Sequence, residues 1–162
     1  MKKIFSTVLI ICLVIINCTS CNKSKNIFKN GTYVSVEDSD KYVTIKDNMI
    51  TLDNPKFGDD INETYHTIVY FHRYMDYCNQ GLIPTQEDEE ALKKDIPDFN
   101  PDDYIGKTYT LDFMNEETYV KGDVCDIMLW YNDEPIEILS GELNLETGIL
   151  TIGGADYKLK KH

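Results

Sequence analysis

The stretch 31-GTYVSVEDSDKYVTIKDNMITL-52 decides the fold class of this chain. It contains three short runs rich in Val, Ile, Thr and Tyr, which are residues that favour β-strands. The segment 37–40 and the pair Asp47-Asn48 separate these runs, and their residue types are typical of tight turns. The stretch therefore predicts three strands joined by two hairpin connections.

The C-terminal half continues this pattern. Further β-favouring runs, separated by turns rich in Gly, Asn, Asp and Glu, are TYTLDF, VCDIMLWY, PIEIL, ELNL, ILTI and DYKLK. Turn signals at this spacing indicate an antiparallel meander. We predict a mainly β fold in which the meander closes into a small barrel or a sandwich.

The segment from about residue 60 to residue 96 departs from this pattern and predicts an α-helical insertion. Asp60 and Glu63 resemble a capping box, apolar residues then recur every three or four positions, and Gly81 is a natural helix terminator. The β-favouring run 67–71 leaves a long strand as the alternative to the first helix. A second, shorter helix is predicted after Thr85, where an acidic first turn complements the helix dipole.

Aromatic residues are dense on the predicted first helix. Tyr70, Tyr74 and Tyr77 share one stripe, beside an apolar stripe with Phe71 and Met75 that we expect to be core. A tyrosine offers a large contact area at low entropic cost and keeps a polar end for water. The three tyrosines therefore form either the edge of the core or a partner-binding surface.

The N-terminus has the layout of an export signal. Lys2 and Lys3 precede a mostly apolar run over residues 4–16, and small and polar residues then surround Cys18 and Cys21. A membrane-spanning helix needs about 20 apolar residues, so this run is too short to span a bilayer comfortably.

The pair Ser20-Cys21 resembles the lipobox of bacterial prolipoproteins, in which a small residue precedes a cysteine that is lipidated and becomes the new N-terminus. Cys18 fits this pattern less well, because the residue before it is Asn17. The resemblance implies that Cys21 carries a covalent lipid. An ordinary cleaved secretory signal is the alternative.

The lipobox resemblance divides the chain into a signal peptide over residues 1–20, a lipidated tether over 21–30 and a single β-rich domain over 31–162. It implies a protein of the cell envelope that is anchored to a membrane by lipid and exposed outside the cytoplasm. One domain with its own core also agrees with the length of the mature chain.

The charge of the chain argues against nucleic acid as a partner. The formal net charge is −12, and loss of Lys2 and Lys3 with the signal would leave 14 basic against 28 acidic residues, a net charge of −14. Nucleic acid would repel such a domain. The tether differs from the acidic domain because it contains Lys23, Lys25 and Lys29. These lysines either belong to a solvated linker or contact anionic lipid head groups.

The domain opens with Gly31-Thr32-Tyr33, and a meander follows. This opening resembles that of lipocalin-like and other calycin barrels, where a Gly-x-Trp motif stands and where Tyr33 here replaces the tryptophan. The resemblance implies a barrel rather than a sandwich, and by fold analogy it implies a ligand inside the barrel.

Two cysteines, Cys78 and Cys125, remain in the predicted exported domain, in a compartment that permits disulfides. A bridge between them would tie the insertion to a strand and would stabilise the fold by about 4 kcal/mol in the chain-entropy model. Two buried free thiols are the alternative, since both residues fall on apolar faces.

The sequence lacks the usual motifs of catalysis and metal binding. The histidines are His66, His72 and His162, and no nucleophile elbow, zinc-protease helix or phosphate-binding glycine loop accompanies them. Glu63 and His66 make one weak ligand pair, and the segment 98–109 lacks the glycine and the bidentate glutamate of an EF-hand loop. We expect neither an enzyme, nor a cofactor, nor a metal site.

We therefore hypothesise a non-catalytic module that binds a small molecule or an envelope protein while its lipid binds the membrane. One alternative is an inhibitor or accessory protein of another envelope protein, which would form a stable complex. Another alternative is an enzyme, which would need a clustered acid-base or metal constellation that the residue spacing does not provide.

The lipid anchor is directly testable in cells fed with labelled fatty acid. Cys21→Ala should abolish incorporation of the label and leave the signal uncleaved, because the thioether requires a cysteine sulfur at that position. Cys18→Ala should be labelled as the wild type is. Labelling that survives in the Cys21 variant and is lost in the Cys18 variant would move the anchor to Cys18.

Overall fold

The computed structural model describes residues 27–113 and 124–161, so that the predicted signal peptide and Cys21 lie outside the described residues. The strands are β1 (Gly31–Ser35), β2 (Tyr42–Lys46), β3 (Met49–Asn54), β4 (Thr108–Phe113), β5 (Val124–Tyr131), β6 (Glu134–Pro135), β7 (Gly141–Asn144), β8 (Ile149–Ile152) and β9 (Ala155–Leu159). The helices are α1 (Ile61–Asn79) and α2 (Gln86–Lys93), with 3-10 turns at Pro101–Asp103 and Glu137–Leu139.

The strands form one antiparallel sheet that closes on itself. Consecutive strands pair from β1 to β5, β5 pairs with β7, and β7, β8 and β9 follow in order. The ring closes where β9 pairs with β1 and Leu159 lies opposite Tyr33. β6 only extends β5 as a short hairpin. The remaining eight strands make a closed barrel, which confirms the mainly β fold and the preference for a barrel over a sandwich.

Three tight turns of the barrel have positive φ at both central residues, as the type I′ hairpin requires. Asn, Asp and Gly tolerate this left-handed conformation better than other residues. The turns lie at Asp47-Asn48, Asn132-Asp133 and Gly153-Gly154. The prediction of a tight turn at Asp47-Asn48 is therefore confirmed, with its physical reason.

Alternate residues of the strands point into the barrel and fill its interior. The buried inward side chains are Tyr33, Ser35, Val43, Ile45, Ile50, Leu52, Tyr109, Leu111, Cys125, Ile127, Leu129, Leu143, Leu150, Ile152, Ala155 and Tyr157. An eight-stranded barrel is just wide enough for its own side chains or for one small ligand. In this protein, side chains occupy the interior as a packed core.

The two ends of the barrel carry different structures. At the lower end lie the β2–β3 and β7–β8 turns, the segment that enters β1 and the segment that leaves β9. The insertion leaves β3 and returns to β4 at the upper end, together with the β1–β2 and β8–β9 turns. The side chain of Phe28 is buried in the core at the lower end, so the packed chain begins before the predicted domain start at Gly31.

Gly141 brings β7 unusually close to β8. A Cβ atom at this position would overlap the backbone carbonyl oxygen of Thr151 and would press on Ile152. On its other side Gly141 lies opposite Ile127 of β5. Only a residue without a side chain fits between these strands.

The insertion is helical, as predicted, and the strand alternative for its first part is wrong. α1 ends near Gly81, which has φ of +79° and whose amide donates to the Cys78 carbonyl at 2.8 Å. The expected capping box of α1 is absent, because the Asp60 side chain makes no cap hydrogen bond. α2 has a genuine capping box between Thr85 and Asp88.

α1 crosses the upper end of the barrel and extends beyond it. Its first half packs Ile61, Tyr65 and Ile68 against the barrel core. Phe71 and Met75, which we expected in the core, are exposed at 56% and 42%. The reason is length, since a 19-residue helix is about 28 Å long and outruns the core beneath it.

Neither α1 nor α2 combines the length and the apolar content that crossing a bilayer would require.

The base of the insertion is fastened to the barrel by a buried tyrosine. The Tyr157 hydroxyl accepts a hydrogen bond from the Lys56 amide at 2.9 Å and donates to the Lys56 carbonyl. Beside it, the Gly58 amide donates to the Gly153 carbonyl at 2.8 Å. These bonds fix the point at which the chain leaves the barrel for α1.

Tyr157→Phe should lower the free energy of unfolding by about 1–3 kcal/mol, because both backbone groups of Lys56 would lose their partner. Urea denaturation at pH 7 measures the change. Tyr42→Phe is the matched control, since the Tyr42 side chain is exposed and its loss of a hydroxyl should leave stability unchanged.

The same variant tests a pH dependence. Burial raises the pKa of Tyr157 to about 12, and burial likewise raises the pKa of Tyr109 to about 12. The unfolded chain loses these protons near pH 10, so stability is complete below that pH and falls as the pH rises towards 12. In Tyr157→Phe the free energy of unfolding should fall less between pH 10 and pH 12, because only Tyr109 still contributes to the loss. An equal fall in both proteins would contradict this assignment.

Candidate functional site

Because side chains fill the interior of the barrel, the surface is where another molecule can bind, and the insertion is the largest feature of the described surface. We call α1, α2 and their connection, residues 61–93, the arm. Its inner half rests on the barrel, whereas its outer half is free of the barrel core. The arm is therefore the part of the described chain that is best placed to meet another molecule.

The predicted tyrosine stripe lies between α1 and α2. The Lys93 ammonium sits 4.9 Å from the centre of the Tyr70 ring, and the rings of Tyr70 and Tyr74 are 6.0 Å apart. Tyr77 hydrogen-bonds the carboxylate of Asp88, and burial together with this carboxylate raises the pKa of Tyr77. All three tyrosines are half-buried. They hold α2 on the outer face of α1 and keep part of each ring exposed.

Arg73 completes the contact between the two helices. Its guanidinium donates to the carbonyl oxygens of Leu92 at 3.1 Å and of Lys94 at 2.8 Å. These carbonyls belong to the end of α2, where helical carbonyls lack partners of their own. Arg73 is the single arginine of the sequence. Its rarity is the one feature of the sequence that could have drawn attention to this contact.

Four exposed apolar side chains lie on the outer half of the arm. We call Phe71, Met75, Leu82 and Ile83 the arm patch; Leu82 is 46% and Ile83 is 91% exposed. The acidic run Glu87–Glu90 of α2 follows directly in the chain. The arm therefore exposes apolar side chains on its outer half and carboxylates on α2.

A polar cleft of about 430 Å³ lies beside the inner half of the arm. It is lined by Glu63, His66, Tyr70 and Lys93, among others. The His66 Nε2 atom is 3.5 Å from the Asp98 carboxylate, which forms an ion pair when the imidazole is protonated. The described residues contain no group of three or more potential metal ligands, here or elsewhere.

The remaining polar groups near the cleft hold the insertion together. The Asn62 side chain donates to Asp98 at 3.1 Å and accepts from the Phe99 amide at 2.8 Å. The His72 Nε2 atom lies 3.1 Å from a carboxylate oxygen of Glu137, which ties α1 to the 3-10 turn before β7. These contacts have structural roles, and they bring no nucleophile beside a general base.

Cys78 and Cys125 are both free thiols in the structure. Cys125 is buried inside the barrel near its lower end, opposite Leu143, and burial raises the pKa of its thiol. Cys78 lies on the arm at the upper end. The structure therefore agrees with the alternative of two free thiols and not with a bridge, although Cys78 is half-buried and only Cys125 is fully buried.

Comparison with known proteins adds no relative. No protein-family model, no curated protein and no solved structure matches this chain.

The role of the tyrosines can be tested by changing Tyr70, Tyr74 and Tyr77 to Ser together. We expect the thermal transition of the barrel to persist, because no inward side chain of the barrel is altered. The amides of α2 should lose hydrogen-exchange protection, since the helix would lose its apolar support. Collapse of the barrel transition would instead assign the rings to the core of the whole domain.

Proposed function

We propose that this protein is a non-catalytic binding module of the bacterial cell envelope, anchored by lipid at Cys21, that presents its arm to a partner protein. The observation that carries the proposal is the separation of the two ends. The chain enters the barrel at the lower end, and the arm lies at the upper end. The barrel then acts as a rigid spacer between the membrane and the partner.

The distances support such an arrangement. Ile27 is the sixth residue after Cys21, which gives a reach of about 20 Å when this segment is fully extended. The eight residues of β5 add about 26 Å along the strand, or about 20 Å along the axis of a barrel with tilted strands. The arm would stand clear of the lipid head groups while the lower end stays near them.

The composition of the arm indicates the chemistry of the partner. Phe71, Met75 and Ile83 would fill an apolar depression, and a protein surface that leaves such residues open generally uses them. The carboxylates of Glu87 and Glu89 would meet basic residues at the rim of that depression. The exposed parts of Tyr70, Tyr74 and Tyr77 would extend the contact, as the sequence predicts.

A module of this kind is suited to act as an inhibitor or accessory subunit of another envelope protein. The protein would then share the barrel architecture of lipocalins without binding a ligand inside the barrel. An enzyme is disfavoured because the sequence lacks a catalytic motif and the described residues contain no group of three or more potential metal ligands.

The proposal predicts the effect of removing the arm patch. In intact cells, crosslinking should capture one protein with the wild type, and the variant Phe71→Ser, Met75→Ser, Ile83→Ser should reduce that capture at least about tenfold. The substitutions are at exposed positions, so the thermal transition should shift little.

Val36→Ser is the matched control, because Val36 is an exposed apolar residue outside the arm. It should capture the same protein as the wild type does. Undiminished capture by the arm-patch variant would place the binding surface elsewhere, and the proposal would then fail.

A further inference from the structure

We infer that a second binding site, at the lower end of the barrel, binds the anionic head group of a membrane phospholipid. The site is a cleft of about 220 Å³ between the segment that enters β1 and the β7–β8 hairpin. We call it the lower cleft. Its lining includes Ile27, Lys29, Leu145, Lys158, Leu159 and Lys161.

The charge of the lower cleft is opposite to that of the protein. Lys29, Lys158 and Lys161 line it, and no Asp or Glu is among its lining residues. The chain as a whole has 28 acidic against 16 basic residues, so a lining with three lysines and no acid differs from the average surface, although Glu146 lies between the lining residues Leu145 and Thr147. Such a cleft attracts an anion that the rest of the surface repels.

The lining is also apolar, which distinguishes this cleft from a site for a small hydrophilic anion. Ile27 and Leu159 are half-buried there, and Leu145 is exposed at the rim. Leucine and isoleucine beside lysine ammonium groups suit a ligand that joins a negative head to hydrocarbon. An anionic phospholipid has this chemistry.

The fold holds the lysines in place. Tyr33 donates a hydrogen bond to the Lys29 carbonyl at 3.1 Å, which fixes the entering segment across the barrel end. β9 pairs with β1 so that Lys158 lies opposite Val34. On the far side, the Gly148 amide donates to the Asn144 carbonyl at 2.8 Å and closes the β7–β8 turn.

The size of the cleft favours a lipid that remains in the membrane. Pockets that enclose a whole drug-sized ligand are usually about 300–1,000 Å³, which is larger than this cleft. The lower cleft can hold a phosphate-containing head and the first carbons below it, while the acyl chains stay in the bilayer. A free amphiphile would leave most of its hydrocarbon in water.

The position of the lower cleft also favours a membrane phospholipid, provided that the proposed lipid anchor at Cys21 is present. Ile27, which lines the cleft, is six residues after Cys21, so an anchored chain keeps the cleft within about 20 Å of the membrane surface. An anionic bilayer attracts lysines that come within about a Debye length, roughly 10 Å, of its surface, and a tether of this length lets the lower cleft reach that layer. Lipid anchor and lower cleft would then act together to orient the arm away from the membrane.

The test uses the full chain, purified from membranes and reconstituted in phosphatidylcholine vesicles. One set of vesicles contains a photoreactive phosphatidylglycerol, and the other contains photoreactive phosphatidylcholine with the same acyl chains. After illumination, mass spectrometry locates the labelled residues. We expect phosphatidylglycerol to label the lower-cleft segments 27–33, 143–148 and 158–161 roughly fivefold or more above phosphatidylcholine.

Lys158→Ser with Lys161→Ser should bring that preference down to the phosphatidylcholine level. Lys158→Arg with Lys161→Arg should retain it, because the charge is kept. The control Lys41→Ser with Lys94→Ser changes the net charge equally at positions outside the lower cleft and should also retain it. Equal labelling by both lipids in the wild type, or an equal effect of the two Ser pairs, would overturn the inference.

Two further measurements distinguish a lipid site from a site for a free anion, and this inference from the proposed function. Loss of phosphatidylglycerol labelling when millimolar inorganic phosphate is added would identify a site for a free anion, and the lipid assignment would be overturned. Fatty-acid incorporation at Cys21 and partner capture by the arm are measured separately. If the lower cleft shows no lipid preference, this inference fails and the proposed function is unaffected. If Cys21 carries no lipid, both the proposed function and this inference fail.

Discussion

The pairing of β9 with β1 is the contact on which the rest of the structure depends. It joins the two ends of the described chain, with Leu159 opposite Tyr33, and it leaves the ring without a free edge. Because neighbouring strands are antiparallel, closure puts the start of β1 and the end of β9 at the lower end. The connection from β3 to β4 must then open at the upper end, so the opposite placement of tether and arm follows from the topology.

Much of the fold could be predicted from the sequence because it depends on local rules. The alternation of the buried Val43 and Ile45 with Thr44 and Lys46 defines an inner and an outer face. The pair Asp47-Asn48 favours a left-handed turn. Barrel and sandwich, however, share the same strands and turns. The two folds differ in whether β9 pairs with β1, and this pairing joins distant parts of the chain that no local sequence pattern connects.

The candidate sites were less accessible to sequence reasoning. Helical periodicity in α1 identifies an apolar face but does not say how far the barrel extends beneath it, which is why Phe71 and Met75 were expected in the core and are exposed. The covering of Tyr70 by Lys93 depends on how α2 folds back. The lower cleft is assembled from three distant segments, so no single stretch of sequence contains it.

The close approach of β7 and β8 at Gly141 bears on how this protein's relatives could be found. A side chain there would overlap a backbone oxygen, which cannot move aside as a flexible side chain can. Homologues that have diverged almost everywhere else must still have glycine at the first residue of the seventh strand as long as these strands keep their spacing. That position, combined with paired Asn, Asp or Gly residues at the hairpins, makes a structural signature for genome searches where overall similarity has faded.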